Sequence, residues 1–159
     1  MLSWRIAKLS WVKHWEKLSQ QERASSSSKP KRTVDVDALR RWRRRGKYAE
    51  QQLVNLLEKH GWKAIRIPLS GPAMKYPDVF ATKGDRIAAF EVKYHYQSSI
   101  TVAEEQVAKL FNFLEMFKPY KSREAVIAAK FGRRWVFKHV KSIGKVHVSS
   151  DEKSDWSII

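Results

Sequence analysis

Two short apolar runs, Val79–Thr82 and Ile87–Phe90, stand on either side of Lys83-Gly84-Asp85-Arg86. No other feature constrains the fold of this chain as tightly. A Gly-Asp pair between apolar runs is a two-residue hairpin signal. With Gly84 and Asp85 as the turn, Asp78 falls directly opposite Glu91, their Cβ atoms about 4.5–5.5 Å apart. Lys93 lies two residues beyond Glu91 and projects from the same face. Phe80, Ile87 and Ala89 are the inner neighbours on that face, and Val79, Ala81, Ala88, Phe90 and Val92 make up the other. Apolar residues on both faces place the hairpin in the middle of a sheet covered on both sides.

Charges gathered at the end of such a hairpin need a reason. Two carboxylates suit a hard divalent cation, which takes one or two of them and fills its remaining positions with water and phosphate oxygens. A lysine beside the ion can orient or help deprotonate a water, or stabilise charge building on a phosphate. Glu91-Val92-Lys93 taken alone reads as readily as a cross-strand salt bridge on a solvent face.

The charge balance narrows the partner. Thirty-two Lys and Arg oppose sixteen Asp and Glu among 159 residues, for a net charge of +16. That excess calls for a polyanion, nucleic acid first and an anionic membrane surface second. Hydrophobic content of 43% with seven Trp and seven Phe indicates one folded domain plus an appendage. With no cysteine there is neither a disulfide nor a thiolate zinc site. No signal peptide or membrane-length apolar run is visible, and the expected location is cytoplasmic.

Along the chain, residues 1–23 carry Trp4, Ala7, Trp11, Trp15 and Leu18 as a stripe at helical spacing, a basic amphipathic helix suited to docking on the domain, to an unidentified protein partner or, less readily, to a membrane surface. Residues 24–36 read as a flexible basic linker, 37–149 as the working domain and 150–159 as a loose polar tail. Asp37 is placed to cap a short helix from Ala38. Five of the six residues at positions 40–45 are arginine, a density that phosphates would neutralise. Gly46 is a candidate break before a helix from about Lys47 to His60 that turns Ala49, Leu53, Leu56 and Leu57 inward, with Glu50 at the edge of that face. Trp62–Pro68 alternates as a strand, and Ser70-Gly71-Pro72 reads as a turn. Thr101-Val102-Ala103-Glu104 reads as a capping box for a helix to about Phe117, with Ala103, Val107, Leu110, Phe111, Leu114 and Phe117 inward. Phe113 and Met116 fall off that stripe, which suggests a homodimer contact. Two further strands, Glu124–Phe131 and Arg133–Val140, flank Gly132.

The series Gly46-x-x-x-Glu50, Ser70-Gly71, Pro77-Asp78, Glu91-Val92-Lys93 and a helix with Glu105-Gln106 resembles the archaeal Holliday junction resolvases, within the PD-(D/E)XK nuclease superfamily. The likeness runs from about Arg44 to Val140. It implies a restriction-endonuclease-like α/β fold, a central mixed sheet of about five strands flanked by helices (αβββαββ), here with an extra amino-terminal helix. It also implies a Mg²⁺-dependent endodeoxyribonuclease, with Mn²⁺ able to substitute, that cuts branched double-stranded DNA at four-way junctions as a homodimer. By that resemblance Asp78, Glu91 and the Val92 carbonyl hold metal, Glu50 completes the site through water, and Lys93 is the catalytic lysine. Ser70 positions phosphate, and Gln106 occupies a position where many superfamily members have a glutamine. Arg43, Arg44, Arg45, Lys47, Arg66 and Lys75 are the candidate DNA contacts. A nuclease of repair or restriction, or a basic nucleic-acid binder without catalysis, are the alternatives.

Overall fold

The two-faced hairpin forms the centre of a sandwich. The computed structural model describes residues 35–68 and 75–159. The tryptophan-rich helix and linker expected before Asp35, and the Ser70-Gly71 turn, lie outside the described residues. Residues Val36–Ile159 make one compact unit.

Helix α1 (Val36–Lys59) leads into β1 (Lys63–Arg66), β2 (Val79–Lys83), β3 (Arg86–His95) and β4 (Ser99–Val102). Helix α2 (Glu104–Leu114), extended by a 3₁₀ turn, precedes β5 (Ser122–Phe131), β6 (Arg134–Val140) and β7 (Val146–Ser149). Five strands form a mixed sheet in the order β1-β2-β3-β5-β6, and β4 pairs with β7. Only β3 and β5 run parallel, and α2 makes the crossover between them. Val79 pairs with Phe90 and Lys83 with Arg86, the register set by a turn at Gly84, whose φ of 61° suits glycine. The two hairpin faces separate as their alternation dictates. Val79, Ala81, Ala88, Phe90 and Val92 pack with Ala49, Leu53 and Leu57 of α1. Ile87 and Ala89 pack with Val107 and Leu110 of α2.

Several expectations need correction. Gly46 does not break the first helix: α1 runs through it unbroken, because one glycine in a helix costs only about 1 kcal/mol while Leu53 and Leu57 anchor the rod. The arginine run therefore sits on the same rod as the core stripe. Asp37 lies inside the first turn, paired with Arg40 at 3.3 Å, rather than ahead of the helix. There is no capping box: Ala103 is the N-cap, without a side-chain cap, and Thr101 in β4 meets His147 Nδ1 across the β4–β7 pair at 3.2 Å.

Phe113 does not face outward. It is buried against Phe80 (ring centroids 5.4 Å apart) and Phe117, so only Met116 of the proposed dimer pair is exposed. Residues 150–159 are not a loose tail. Trp156 is buried against Phe90 and Phe137, and Trp62 Nε1 donates to the Ile158 carbonyl at 2.7 Å. Indole area of this size contributes more to folding than the entropy cost of ordering a short terminal segment. Among the described residues, no helix is long and apolar enough to cross a membrane.

Candidate active site

Beyond Val79 the β2–β3 ladder ends, and the chain chemistry changes at once. The Asp78 N–H still donates to the Phe90 carbonyl at 2.9 Å, which keeps Asp78 in line with the hairpin. Two residues on, the Val92 N–H faces the same side as Phe90, because strand residues alternate. It finds no strand there and donates instead to Asp78 Oδ2 at 2.8 Å. The Val92 carbonyl points to that side as well by the same alternation.

Glu91 is almost wholly buried, and three cations or amides converge on it. Lys93 Nζ donates to Glu91 Oε1 at 2.7 Å, and Gln106 Nε2 of α2 donates to the same oxygen at 2.9 Å. Lys109 Nζ, also buried, stands 2.5 Å from Glu91 Oε2 and 4.0 Å from Asp78 Oδ1. Among the described residues, neither Glu91 Oε2 nor Lys109 Nζ has a hydrogen-bond partner beyond this close ion pair. Burial raises the Glu91 pKa above its ordinary value, and the neighbouring Asp78 charge adds to the rise, while Lys93 and Lys109 oppose it. One ammonium thus reaches both acids, and their convergence at this strand end is a fact of the fold.

Lys109 was not among the residues singled out from the sequence. The available signal was its place one turn after Gln106 and between Val107 and Leu110, on the inward side of α2. A lysine there needs buried acid.

Glu50 sits half-buried on α1 and accepts from Arg66 Nη1 at 3.2 Å. Burial raises its pKa, the Arg66 bond opposes this, and the charge of Asp78 adds to the rise. The described residues hold no cluster of three acidic or histidine groups able to grip an ion. Glu50 therefore stands beside the pair rather than within it. Arg66, expected on DNA, has its guanidinium engaged by Glu50. Arg43, Arg44, Arg45, Lys47 and Lys75 are exposed.

The donor set fits a hard divalent cation. Two carboxylates, one with a buried oxygen that meets only an ammonium among the described residues, match the number that Mg²⁺ takes from protein.

Comparison with known proteins finds a family and relatives for this chain. A family model described as archaeal Holliday junction resolvase (Hjc) matches residues 41–154. Over 109 residues the chain is 39% identical to the crossover junction endodeoxyribonuclease Hje of Sulfolobus acidocaldarius, covering 67% of this chain and 77% of that one. It is 45% identical over 76 residues to the crossover junction endodeoxyribonuclease of Sulfolobus islandicus rod-shaped virus 1, covering 47% and 63% respectively. The structure of Archaeoglobus fulgidus Hjc, a Holliday junction resolvase, is similar with a TM-score of 0.54 at 25% identity, over 66% of this chain and 84% of that one.

Proposed function

This chain belongs to the archaeal Holliday junction resolvase family, and on that premise we propose that it resolves four-way DNA junctions by metal-dependent phosphodiester hydrolysis. The observation that carries this reading is the meeting of Asp78 and Glu91 on one buried ammonium. A binding protein without catalysis has no use for two converging buried acids, whose ionised forms cost free energy.

Asp78, Glu91 and the Val92 carbonyl are the residues that would hold Mg²⁺ or Mn²⁺, with Glu50 reaching it through water. Such an ion polarises a phosphoryl oxygen and lowers the pKa of bound water. The chain's own groups do the rest. The Val92 N–H fixes Asp78, and Gln106 fixes Glu91 through Oε1. Lys93, about one-quarter exposed, presents its ammonium to charge growing on the phosphate as water oxygen bonds to phosphorus and the 3′ oxygen departs. Ser70 helps position that phosphate. Arg43, Arg44, Arg45, Lys47 and Lys75 grip flanking phosphates, which supplies affinity without sequence information. A homodimer sets two such sites on one symmetric branch and makes paired nicks.

The test is incubation of the full chain with a labelled four-way junction, with and without Mg²⁺, beside linear and flap DNA. Mg²⁺-dependent paired nicks confined to the junction are expected. Equal cutting of linear or flap DNA points to a nuclease of repair or restriction, and no cutting with either Mg²⁺ or Mn²⁺ leaves a basic binder. Replacing Arg43, Arg44 and Arg45 together should weaken binding and reduce the slope of affinity against salt by about two to three units; an unchanged slope removes those residues from the interface.

A further inference from the structure

Past Lys93 the chain lays out a row of rings that the hydrolysis described above does not use. Tyr94 and His95 finish β3, and Tyr96 follows. Trp42, from the exposed side of α1, comes within 6.4 Å of His95, centroid to centroid. One turn along, the Arg45 guanidinium stands 5.1 Å over the Tyr96 ring, and Tyr94 meets Tyr96 edge-on at 5.2 Å. These rings are not core: 49% of Trp42 and 61% of Tyr96 is exposed. A cavity of about 380 Å³, bounded by Lys93, Tyr94, His95, Gln97 and Ser99, touches both the site lysine and His95 of this row.

Scattered surface aromatics need no explanation, but a cluster beside a run of exposed cations does. Arg43, Arg44 and Lys47 lie on the same helix as Trp42 and Arg45. Phosphates answer the charge, and flat apolar rings answer a flat apolar partner. In an intact duplex both faces of each base are covered by its neighbours. Only where strands part is a base face free to stack on a side chain. Tyr96 is three residues from Lys93, hence at most roughly 10 Å along the chain, within reach of a nucleotide next to the one being cut.

We infer that Trp42, His95 and Tyr96 form a shelf that receives an unstacked base at the branch point, with Arg45 clamped over it. This rests on the proposed substrate and adds what reads its shape: the shelf discriminates branched from linear DNA, while the arginine run serves both.

The test is the affinity of the full chain for a four-way junction, for a linear duplex of the same sequence and for a single-stranded oligonucleotide, without divalent metal. Trp42→Ala with Tyr96→Ala should weaken junction and single-strand binding about 10- to 100-fold, the loss of one or two stacking contacts. Duplex binding and its salt slope should stay as they are. Trp42→Phe with Tyr96→Phe keeps the rings and should keep the preference. An equal loss on all three DNAs, or none on any, overturns the shelf. A wild-type protein that ignores junctions would remove the proposed substrate, and the single-strand comparison would still decide whether the rings take a base.

Discussion

Strands β3 and β5 run side by side and bury two glutamates, one near the start of their ladder and one where β2 stops pairing with β3, yet the two acids are treated in opposite ways. At the start, Glu124 lies beside Ala88 and has every lone pair answered. Arg86 grips it through Nε and Nη2 at 3.0 Å each, Ser122 donates at 2.5 Å and the Trp156 indole at 2.6 Å. Where β2 stops, Glu91 Oε2 has no hydrogen-bond partner among the described residues beyond its ion pair with Lys109, and the carboxylate faces a second acid. Burial would raise the Glu124 pKa, but its hydrogen bonds, led by Arg86, hold it down at about 2; burial and Asp78 push that of Glu91 up. A completed hydrogen-bond shell marks a carboxylate that serves the fold. An incomplete one, beside the edge of β3 that β2 leaves open, marks one kept for a partner.

The largest effect should come from neutralising the incomplete end. Glu91→Gln or Asp78→Asn is expected to cut junction cleavage at least about 100-fold, since several kcal/mol of charge stabilisation depends on those oxygens. Gel-shift affinity for the junction should survive. Glu91→Gln should also melt no lower than wild type in metal-free buffer. The native chain holds the Glu91 proton more tightly than the unfolded chain does, so ionising it costs stability as pH rises above the ordinary range near 4.5. Loss of binding together with cleavage would mean that the two acids support the fold and that the contrast with Glu124 is false.

Glu124→Gln should do the reverse, leaving the chemistry and weakening the fold. Arg86 and Trp156 lose a charged acceptor, a loss of about 2–4 kcal/mol that lowers the unfolding temperature by roughly 5–15 °C. The sign with pH is fixed. The unfolded carboxyl binds protons near 4.5 and the folded one near 2, so the stabilisation is complete above the first value and disappears as pH falls through the second. The gap between wild type and Glu124→Gln, followed by thermal melts, should stay constant from pH 7 to 5.5 and shrink below 4.5.

The sequence shows these two ends unequally. The active end was legible because a two-residue turn sets register, and register carried Asp78 to Glu91 without further information. The central place of the β2–β3 hairpin and its two apolar faces followed from the same alternation, while the parallel pairing of β3 with β5 did not. Glu124 gave no such lead: its partners Arg86 and Trp156 lie far from it along the chain, and only the folded sheet brings them together. Trp156 itself was hidden among polar neighbours that read as tail. Strands β4 and β7, four residues each, were too short for their alternation to show. Phe113 was misplaced because the inward arc of α2 is wider than one stripe, with the Phe80 ring reaching up from β2 to meet it.

Lys109 lies between the two cases, a buried cation that half completes the active end. Its ammonium touches Glu91 and approaches Asp78, where the chemistry calls for a divalent ion. It lowers the repulsion between the acids in the metal-free protein, and for the same reason it opposes a second cation there. Lys109→Met keeps the length of the side chain and removes the charge, so the acid pair becomes more negative by one. Mg²⁺ titrated calorimetrically into the full chain without DNA should then bind a few-fold more tightly, and Mg²⁺ should raise the unfolding temperature by more than in wild type. The metal-free melt should fall, since Glu91 Oε2 loses the ammonium paired with it. Weaker Mg²⁺ binding would instead mean that Lys109 holds the acids in place, and that the active end is more like the Glu124 end than its unmatched oxygen suggests.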